Sequence, residues 1–386
     1  MIALASVIEQ FEADYLAQYG SSALPSQRKA LAAMKLCRSS LGPGMLAQCT
    51  ACGEQRLVPH SCGHRSCPHC QHFESQRWTL RQTKALVPGN YFLITFTVPA
   101  ELRALAWQHQ RVMYMAMMDC AWQTLRTFAV NHKQLQGSAG AVAVLHTHAR
   151  NLAFHPHVHV AMPACALDAG KRLWRSLRRS KKGAGYLFNH KALAKVFAAK
   201  LSDALRQEGL ALPPGLPEQW VVDCKGVGSG QKVLVYLGRY LYRGVIQERD
   251  IIACANGQVT YRWRDSKSKQ MTTRSVSGAE FLRLLMQHVL PKGLRRARNF
   301  GFLHPNSKRL IALLRLLVFK LAGAAPAAPC PRPQWLCGCC GAPMLIVRRR
   351  ILPPATLAPS TLAPSTLAPS PGAEPREQLH AQGAMA

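Results

Sequence analysis

The chain has 386 residues, which is enough for two or three domains with a well-buried core. Apolar residues make up 48% of it, which excludes a disordered chain, and 49 lysines and arginines against 18 acidic residues give a formal net charge of +31. So large a positive excess favours a polyanionic partner, above all nucleic acid. No stretch approaches the roughly 18 uninterrupted apolar residues of a membrane span, and the N-terminal residues lack the basic segment of a secretory signal. We therefore expect a cytoplasmic protein.

Hydrophobic periodicity and turn residues place helices and strands alternately along most of the chain. Helices are predicted over residues 3–36, in two segments divided near Gly20 and Pro25, and over residues 100–131, 190–208, 231–243 and 279–290. Strands are predicted over residues 91–98, 141–148, 155–162 and 220–225, with a loop at 226–230 and a hairpin formed by residues 258–264 and 271–276. This interleaving predicts an α+β fold.

Composition divides the chain into four regions. After the first helices comes a segment rich in cysteine and histidine, and a second cysteine cluster follows the interleaved helices and strands. Beyond it the sequence Thr-Leu-Ala-Pro-Ser occurs three times over residues 356–370, a composition that cannot bury a core. We predict a helical and zinc-binding module at 1–85, the main α+β domain at 86–325, a cysteine segment at 326–345 that is a candidate zinc knuckle, and a disordered tail at 346–386.

Two Cys-x-x-Cys pairs, Cys49/Cys52 and Cys67/Cys70, are separated by 14 residues. Such spacing is typical of a structural zinc site in which four thiolates close a tetrahedral shell. We predict that these four cysteines bind one Zn²⁺. Four nearby residues could replace one of the ligands, although a polar loop position or a phosphate contact is the favoured interpretation of each: Cys62, His60, His64 and His69. Five isolated cysteines are interpreted as small buried or neutral residues: Cys37, Cys120, Cys165, Cys224 and Cys254.

The second cysteine cluster comprises Cys330, Cys337, Cys339 and Cys340. Cys337 and Cys340 have the spacing of half a zinc ribbon, and Cys330 is a candidate for a further ligand. One Cys-x-x-Cys pair cannot close a zinc shell alone. The cluster therefore leaves open whether the chain binds a second metal ion.

Histidines alternate with other residues in the segment His155-Pro156-His157-Val158-His159. On a strand, side chains two residues apart share a face, so His157 and His159 point the same way while Val158 points into the core. His155 joins them if the strand begins early. Imidazoles grouped on one strand face suit a divalent cation.

A predicted helix carries two tyrosines, Tyr236 and Tyr240, at a spacing that places both on one side. A tyrosyl oxygen can attack a phosphodiester when a metal ion neutralises the phosphate and an arginine holds it. Arg239 and Arg243 have the same helical spacing and could hold a phosphate. Tyr242 is interpreted as a packing residue.

Two basic segments are candidates for contact with a nucleic-acid backbone, one in a loop after the histidine strand and one after the last predicted helix. The residues predicted to bind DNA are Lys171, Arg172, Arg175, Arg178, Arg179, Lys181, Lys182, Lys292, Arg295, Arg296 and Arg298.

These motifs together resemble the rolling-circle insertion-sequence transposases of the HUH (His-hydrophobic-His) endonuclease superfamily. Five segments resemble blocks of that family in its own order, over about residues 28–303. They are HSCGHRSCPHCQ, YFLITFTVP, LHTHARNLAFHPHVHV, YLGRYLYR and HVLPKGLRRARNFGFL.

The resemblance implies a central antiparallel sheet flanked by helices, with the HUH pair on a middle strand and the tyrosines on an adjacent helix. It implies that His157 and His159 bind catalytic Mg²⁺ or Mn²⁺, that Tyr240 is the leading nucleophile and that Tyr236 is the second. The implied activity is nicking and rejoining of single-stranded or hairpin DNA through a 5′-phosphotyrosine, by a protein associated with the nucleoid of a bacterium.

The chain departs from the family after the second tyrosine. Members often have Thr-His-Arg there, and this chain has Leu241-Tyr242-Arg243. The sequence does not identify the third metal ligand. The candidates are His155, His146 and Asp223.

Three other functions compete with transposition. A plasmid replication initiator or conjugative relaxase would use the same chemistry, although the upstream zinc segment favours a transposase. A zinc-dependent DNA-binding regulator would explain the charge and the cysteines but would leave the histidines and tyrosines without a role. A decayed, inactive element would explain the unusual tail and the missing histidine.

Overall fold

A computed structural model describes residues 2–177, 187–242, 244–265, 268–318 and 334–352. Several residues that the sequence singles out lie outside this description: Arg178, Arg179, Lys181, Lys182, Arg243, Cys330 and the repeats at 356–370. The predicted disordered tail therefore falls almost wholly outside the described residues.

The described residues form α-helices that are spread along the chain and alternate with strands. The helices are α1 (Leu4–Tyr19), α2 (Pro25–Lys35), α3 (His72–Lys84), α4 (Arg103–Gln108), α5 (Gln110–Asn131), α6 (His190–Gln207), α7 (Gly230–Tyr242), α8 (Gly278–Met286) and α9 (Lys308–Val318). Local chemistry fixes some of their ends: α2 begins at a proline, and the Asn189 side chain accepts hydrogen bonds from the first backbone amides of α6. No described helix is long and apolar enough to cross a membrane.

A five-stranded sheet is the centre of the fold. Its strands are β12 (Ala297–Gly301), β4 (Gly140–His148), β5 (Phe154–Pro163), β3 (Tyr91–Thr97) and β8 (Val221–Gly228), in that spatial order and all antiparallel to their neighbours. Strand β5 is therefore the middle strand. Helices α5 and α6 pack against the apolar side chains on one face of the sheet, and α7 packs against the other face. The predicted α+β class is confirmed.

Three smaller sheets complete the described structure. One combines β1 (Gly44–Cys49) and β2 (Gln55–Pro59) with β13 (Trp335–Leu336) and β14 (Pro343–Ile351). A second contains β9 (Ile251–Ala255), β10 (Gln258–Arg264) and β11 (Met271–Ser277), and a third pairs β6 (Cys165–Asp168) with β7 (Leu173–Ser176). The predicted hairpin at 258–276 is confirmed, and β9 adds a strand to it.

The structure corrects several predicted boundaries. The helix predicted at 100–131 is interrupted at His109, whose φ of −119° and ψ of 47° leave the helical region. The loop predicted at 226–230 is partly strand, because β8 pairs with β3 as far as Gly228. The helix predicted at 279–290 ends at Met286, after which Gln287 and His288 turn into the interior. Residues 346–351, predicted as the start of the tail, belong to strand β14.

Packing also departs from the predicted module at 1–85. Helices α1 and α2 form one hydrophobic cluster with α8 and the sheet β9–β11, in which Phe11, Leu31, Tyr261 and Phe281 are fully or almost fully buried. Helix α3 packs against α7. The N-terminal helices therefore share a core with residues 246–289.

Candidate active site

Three histidines meet on one face of the central sheet. His157 and His159 are two residues apart on β5, so their side chains project from the same face. His146 on β4 lies directly opposite His157 in the antiparallel register. The ligand nitrogens of the three imidazoles lie within 4.8 Å of one another. Three imidazoles at this separation can share one divalent cation.

Hydrogen bonds orient two of these imidazoles. Nδ1 of His157 lies 2.7 Å from the carbonyl oxygen of His155, which can only accept, so Nδ1 carries the proton and Nε2 carries the lone pair. Nδ1 of His159 lies 2.9 Å from the hydroxyl of Thr95, its neighbour on β3. Partners of this kind fix the orientation of metal-binding histidines.

Burial keeps the three histidines neutral. Desolvation lowers the pKa of His157 to about 4 and that of His159 to about 3, and it lowers the pKa of His146 well below its ordinary value. The neighbouring imidazoles add to this effect on His146 and His159, because a positive charge on one disfavours a second. At neutral pH each ring therefore presents a lone pair, which is the form that binds a metal ion.

Among the candidates for a third ligand, the structure brings His146 to the pair. Nη2 of Arg103 donates to Nδ1 of His155 over 3.0 Å, which leaves the proton of the neutral ring on Nε2. His155 accordingly lies outside the group of three. Asp223 is on β8, two strands from β5, and forms an ion pair of 2.7 Å with Lys225. The sequence could not rank these candidates, because the pairing of β4 with β5 decides among them.

Helix α7 brings Tyr236 beside the histidines. The ring centroid of Tyr236 lies 6.1 Å from that of His159, and the side chain is 37% exposed. Its position follows from the amphipathic pattern of α7, which buries the opposite side of the helix against the sheet. The buried side chains of α7 are Val233, Leu234, Leu237 and Leu241.

Tyr240 follows Tyr236 by one helical turn. The backbone of residues 239 and 240 belongs to α7, whereas the side chains of Arg239 and Tyr240, and all of Arg243, lie outside the description. The structure therefore places Tyr236, which the sequence analysis ranked second, next to the histidines.

Close contacts with neighbouring elements fix α7 at Gly238 and at its C-terminal end. A Cβ atom added at Gly238 would lie 2.3 Å from Oγ1 of Thr79 on α3, so only glycine permits this approach of the two helices. The hydroxyl of Ser75 donates to the carbonyl of Gly238 over 2.9 Å. At the end of the helix, Nη1 of Arg296 donates to the carbonyl of Leu241 over 2.9 Å.

The histidines and Tyr236 open into a cavity of about 550 Å³. Four arginines line its other walls, and the acidic residue among the lining residues, Asp250, lies 3.7 Å from one of them, Arg262. Such an excess of guanidinium groups suits phosphate. No local sequence pattern marks these arginines, because they come together only through the placement of the sheet β9–β11. They are Arg150, Arg249, Arg262 and Arg264.

Two further buried side chains behind the cavity were also missed. Gln287 donates from Nε2 to the carbonyl of Leu152 over 2.7 Å, and Nε2 of His288 lies 3.0 Å from the same oxygen. Nδ1 of His288 is 3.2 Å from the hydroxyl of Thr147. These contacts hold the turn between β4 and β5, and thereby the register that brings His146 to His157. No sequence signal pointed to this role, because both residues fall inside the helix predicted at 279–290.

The cysteines form two clusters rather than the one predicted set. The first contains Cys37, Cys62, Cys67 and Cys70, and the second contains Cys49, Cys52, Cys337 and Cys340. Within the first, Sγ of Cys70 lies 3.4 Å from that of Cys37 and 3.6 Å from that of Cys62. The prediction that Cys49, Cys52, Cys67 and Cys70 share one ion is therefore wrong, as is the interpretation of Cys37 as an isolated residue.

The physical reason is that a Cys-x-x-Cys pair specifies only half of a zinc shell. Strand β1 carries Cys49 away from Cys67 and into a sheet with β14. The three histidines near these cysteines are not part of either cluster. His64 accepts a hydrogen bond from the amide of Ser66, and Nε2 of His69 lies 2.7 Å from Glu248.

The predicted DNA-binding residues have diverse positions. Lys171, Arg172, Lys292 and Arg295 are exposed. Arg175 is paired with Asp168 at 3.1 Å, and Arg298 with Asp119 at 3.0 Å. Arg296 is partly buried and binds the end of α7, so its role there is structural.

Arg295 and Arg298 also line a second cleft, of about 1420 Å³, between α3 and the segment after α8. Three other basic residues in its walls are Arg81, Lys84 and Arg111. None of the described residues that line it is acidic, which makes this cleft a strong candidate for contact with a polyanion.

The class of the protein follows from two matches to known families. A family described as "Transposase zinc-binding domain" matches residues 7–98, which include the first cysteine cluster. A family described as "Putative transposase" matches residues 140–310, which include the three histidines and α7. The chain is thus a transposase whose partner is DNA.

Two relatives define the family more closely. The chain is 30% identical over 323 residues to the "Putative transposase y4qJ" of Sinorhizobium fredii, which covers 78% of this chain and 80% of that protein. It is 25% identical over 304 residues to the "Transposase for insertion sequence element IS801" of Pseudomonas savastanoi pv. phaseolicola, covering 73% and 70%. No solved structure matches the chain. The chain belongs to the IS91-type insertion-sequence transposases.

Proposed function

We propose that this transposase nicks and rejoins single-stranded DNA at the ends of an insertion sequence, in rolling-circle transposition, through a 5′-phosphotyrosine. The observation that carries the proposal is the meeting of His146, His157 and His159 with Tyr236 in one cavity. A zinc-dependent DNA-binding regulator would have no use for this arrangement. The proposed place of action is the nucleoid of a bacterial cell, because the substrate is chromosomal DNA.

The three histidines would hold the catalytic divalent cation, Mg²⁺ or Mn²⁺. The donor set fits such an ion, because the rings are neutral, face one another and adjoin a cavity in which phosphate oxygens can complete the shell. When bound, the cation supplies Lewis-acid activation of the scissile phosphate. Thr95 and the carbonyl of His155 keep two of the imidazoles in their binding orientation.

The tyrosines supply the nucleophile. The hydroxyl oxygen of Tyr236 or Tyr240 bonds to phosphorus, the bond from phosphorus to the 3′-oxygen breaks, and the proton released by the tyrosine balances the new 3′-hydroxyl. The ester energy is retained, so a 3′-hydroxyl can later reseal the strand. We assign the first attack to Tyr236, because its ring adjoins His159, and the second strand transfer to Tyr240.

The arginines of the cavity and the exposed residues of the larger cleft would grip the DNA. Arg150, Arg262 and Arg264 face the phosphate that reacts, since they line the same cavity as Tyr236. The cleft with Arg81, Lys84 and Arg295 would contact the backbone further along the strand.

The deciding experiment uses a labelled single-stranded oligonucleotide that carries the end of the element, with Mn²⁺ or Mg²⁺, on a denaturing gel. We expect a covalent protein–DNA adduct that requires metal and is lost in Tyr236→Phe and in the Tyr236→Phe/Tyr240→Phe double variant. Tyr240→Phe alone should retain cleavage but fail to complete strand transfer. Tyr242→Phe, in the same helix, is the matched control.

Three outcomes would contradict the proposal or the order that it assigns to the tyrosines. Undiminished cleavage in the double variant would exclude the tyrosines as nucleophiles. Absence of an adduct from wild-type protein that is folded and binds DNA would favour an inactive copy of the element. Adduct loss in Tyr240→Phe, with Tyr236→Phe unaffected, would reverse the order assigned to the two tyrosines.

A further inference from the structure

Two Cys-x-x-Cys pairs from distant parts of the chain face each other in the sheet of β1, β2, β13 and β14. Sγ of Cys49 lies 3.4 Å from Sγ of Cys340, and Sγ of Cys52 lies 3.7 Å from Sγ of Cys337. A further separation, between Cys340 and Cys52, is 3.5 Å. A tetrahedral ion with bonds of about 2.3 Å to sulfur places the sulfur atoms about 3.8 Å apart, close to these distances.

The backbone around each pair supports a thiolate. The amide of Ala51 donates to Sγ of Cys49 over 3.4 Å, and the amide of Cys339 donates to Sγ of Cys337 over 3.4 Å. The two pairs therefore have matching local geometry, although 285 positions separate Cys52 from Cys337. A disulfide would require sulfur atoms about 2.0 Å apart, and the four cysteines are free.

Hydrophobic burial alone cannot hold this sheet together. Its own cluster of buried residues has five members, and two of them are the cysteines Cys49 and Cys337. The others are Ala47, Val58 and Met344. A core of this size is far too small to stabilise four strands, and small modules of this kind generally depend on a metal ion for folding.

We propose that each cysteine cluster binds its own zinc ion, and that the second site consists of Cys49, Cys52, Cys337 and Cys340. The match to the zinc-binding family ends at residue 98, so half of this site lies far outside it. The ion completes a zinc ribbon from two strands near the start of the chain and two beyond residue 334. The proposal is independent of strand cleavage.

The direct test is native mass spectrometry of the full chain. Wild-type protein should carry two zinc ions, and the Cys337→Ser/Cys340→Ser variant should carry one. Cys339→Ser is the matched control, because Cys339 is exposed, lies between the two ligands and belongs to neither cluster. It should retain both ions. Cys62→Ser/Cys70→Ser should lose the other ion and keep this one.

A second measurement on wild-type protein covers the case in which the variants fail to fold. Cys52, Cys339 and Cys340 are all exposed, so an alkylating reagent can reach each of them. With zinc bound, Cys339 should be alkylated at least about tenfold faster than Cys52 and Cys340. A chelator should abolish this difference in rate. One zinc ion per wild-type chain, a metal other than zinc, or alkylation of Cys340 as fast as Cys339 would overturn the proposal.

Discussion

The position of a single proton determines what each imidazole in the active site can do. His157 donates a hydrogen bond from Nδ1–H to a carbonyl and keeps a lone pair on Nε2, whereas Nδ1 of His155 accepts from Arg103, so that ring carries its proton on Nε2. Both residues are on the same strand and only two positions apart. The sequence motif contains three histidines, yet the neighbours of each decide which of them can bind a metal ion.

This difference predicts opposite results for two alanine variants. His146→Ala removes a ligand nitrogen, so we expect the affinity for Mn²⁺ to fall at least about tenfold, with strand cleavage falling in parallel. His155→Ala should bind Mn²⁺ as wild-type protein does. Calorimetric titration of the zinc-loaded protein measures both affinities. A loss in His155→Ala combined with normal binding in His146→Ala would show that the third ligand is wrongly assigned.

At the scale of elements, the placement of Tyr236 depends on how closely α7 approaches its neighbours. Helix α3 packs against it at Gly238, where Thr79 and the ring of Trp78 leave no room for a side chain. The zinc-binding region is thus in direct contact with the tyrosine helix through α3, which begins two residues after Cys70. Metal binding near the start of the chain can therefore affect the geometry of the active site.

We expect Gly238→Ala to lower the free energy of unfolding by about 1–3 kcal/mol, because its new methyl group overlaps Thr79. Gly20→Ala is the control for the effect of alanine on the unfolded chain, since a Cβ there meets only ordinary contacts. Urea denaturation compares the two variants.

Removal of the overlapping hydroxyl provides a second check on this contact. In Gly238→Ala/Thr79→Ala we expect part of the lost stability to return. Equal stability of Gly238→Ala and Gly20→Ala would mean that α3 and α7 are not as close as described.

For the whole molecule, charge is the dominant feature. The chain has a net charge of +31, and the cleft of about 1420 Å³ has basic residues and no acidic one among its described lining residues. Binding to DNA should therefore release counterions and weaken steeply as salt is added. Which basic residues contact DNA determines how steep this dependence is.

We predict that the triple variant Arg81→Ala/Lys84→Ala/Arg295→Ala reduces the slope of log Kd against log salt for single-stranded DNA by about 2. Fluorescence anisotropy at several salt concentrations measures the slope. The control, Lys133→Ala/Lys191→Ala/Lys195→Ala, makes the same change in net charge at exposed positions outside the cleft and should leave the slope nearly unchanged. Equal slopes for the two triple variants would exclude the cleft as the DNA path.

Local patterns were sufficient to predict much of this molecule. The alternation of Tyr91–Thr97 and of the histidine segment identified β3 and β5, and helical spacing identified α7 with Tyr236. The sequence alone does not show which strands and cysteines from distant parts of the chain pair with each other. His146 depends on the register between β4 and β5, and the partner of Cys49/Cys52 depends on a strand almost 300 residues later. Likewise, Arg296 lies in a basic segment typical of DNA binding, but its side chain donates a hydrogen bond to the end of α7 instead.

The ribbon formed by β1, β2, β13 and β14 has a consequence for synthesis of the protein. At about 5–20 residues per second, a ribosome needs roughly 15–60 s to travel from Cys52 to Cys337, the 285 positions between the two halves of the site. During that interval Cys49 and Cys52 are outside the ribosome without the strand and thiolates that complete their sheet. The central sheet, in contrast, has all of its strands by residue 301. The ribbon is therefore the last part of the described fold to form, and a nascent chain released early would have the histidines and tyrosines in place but an open ribbon.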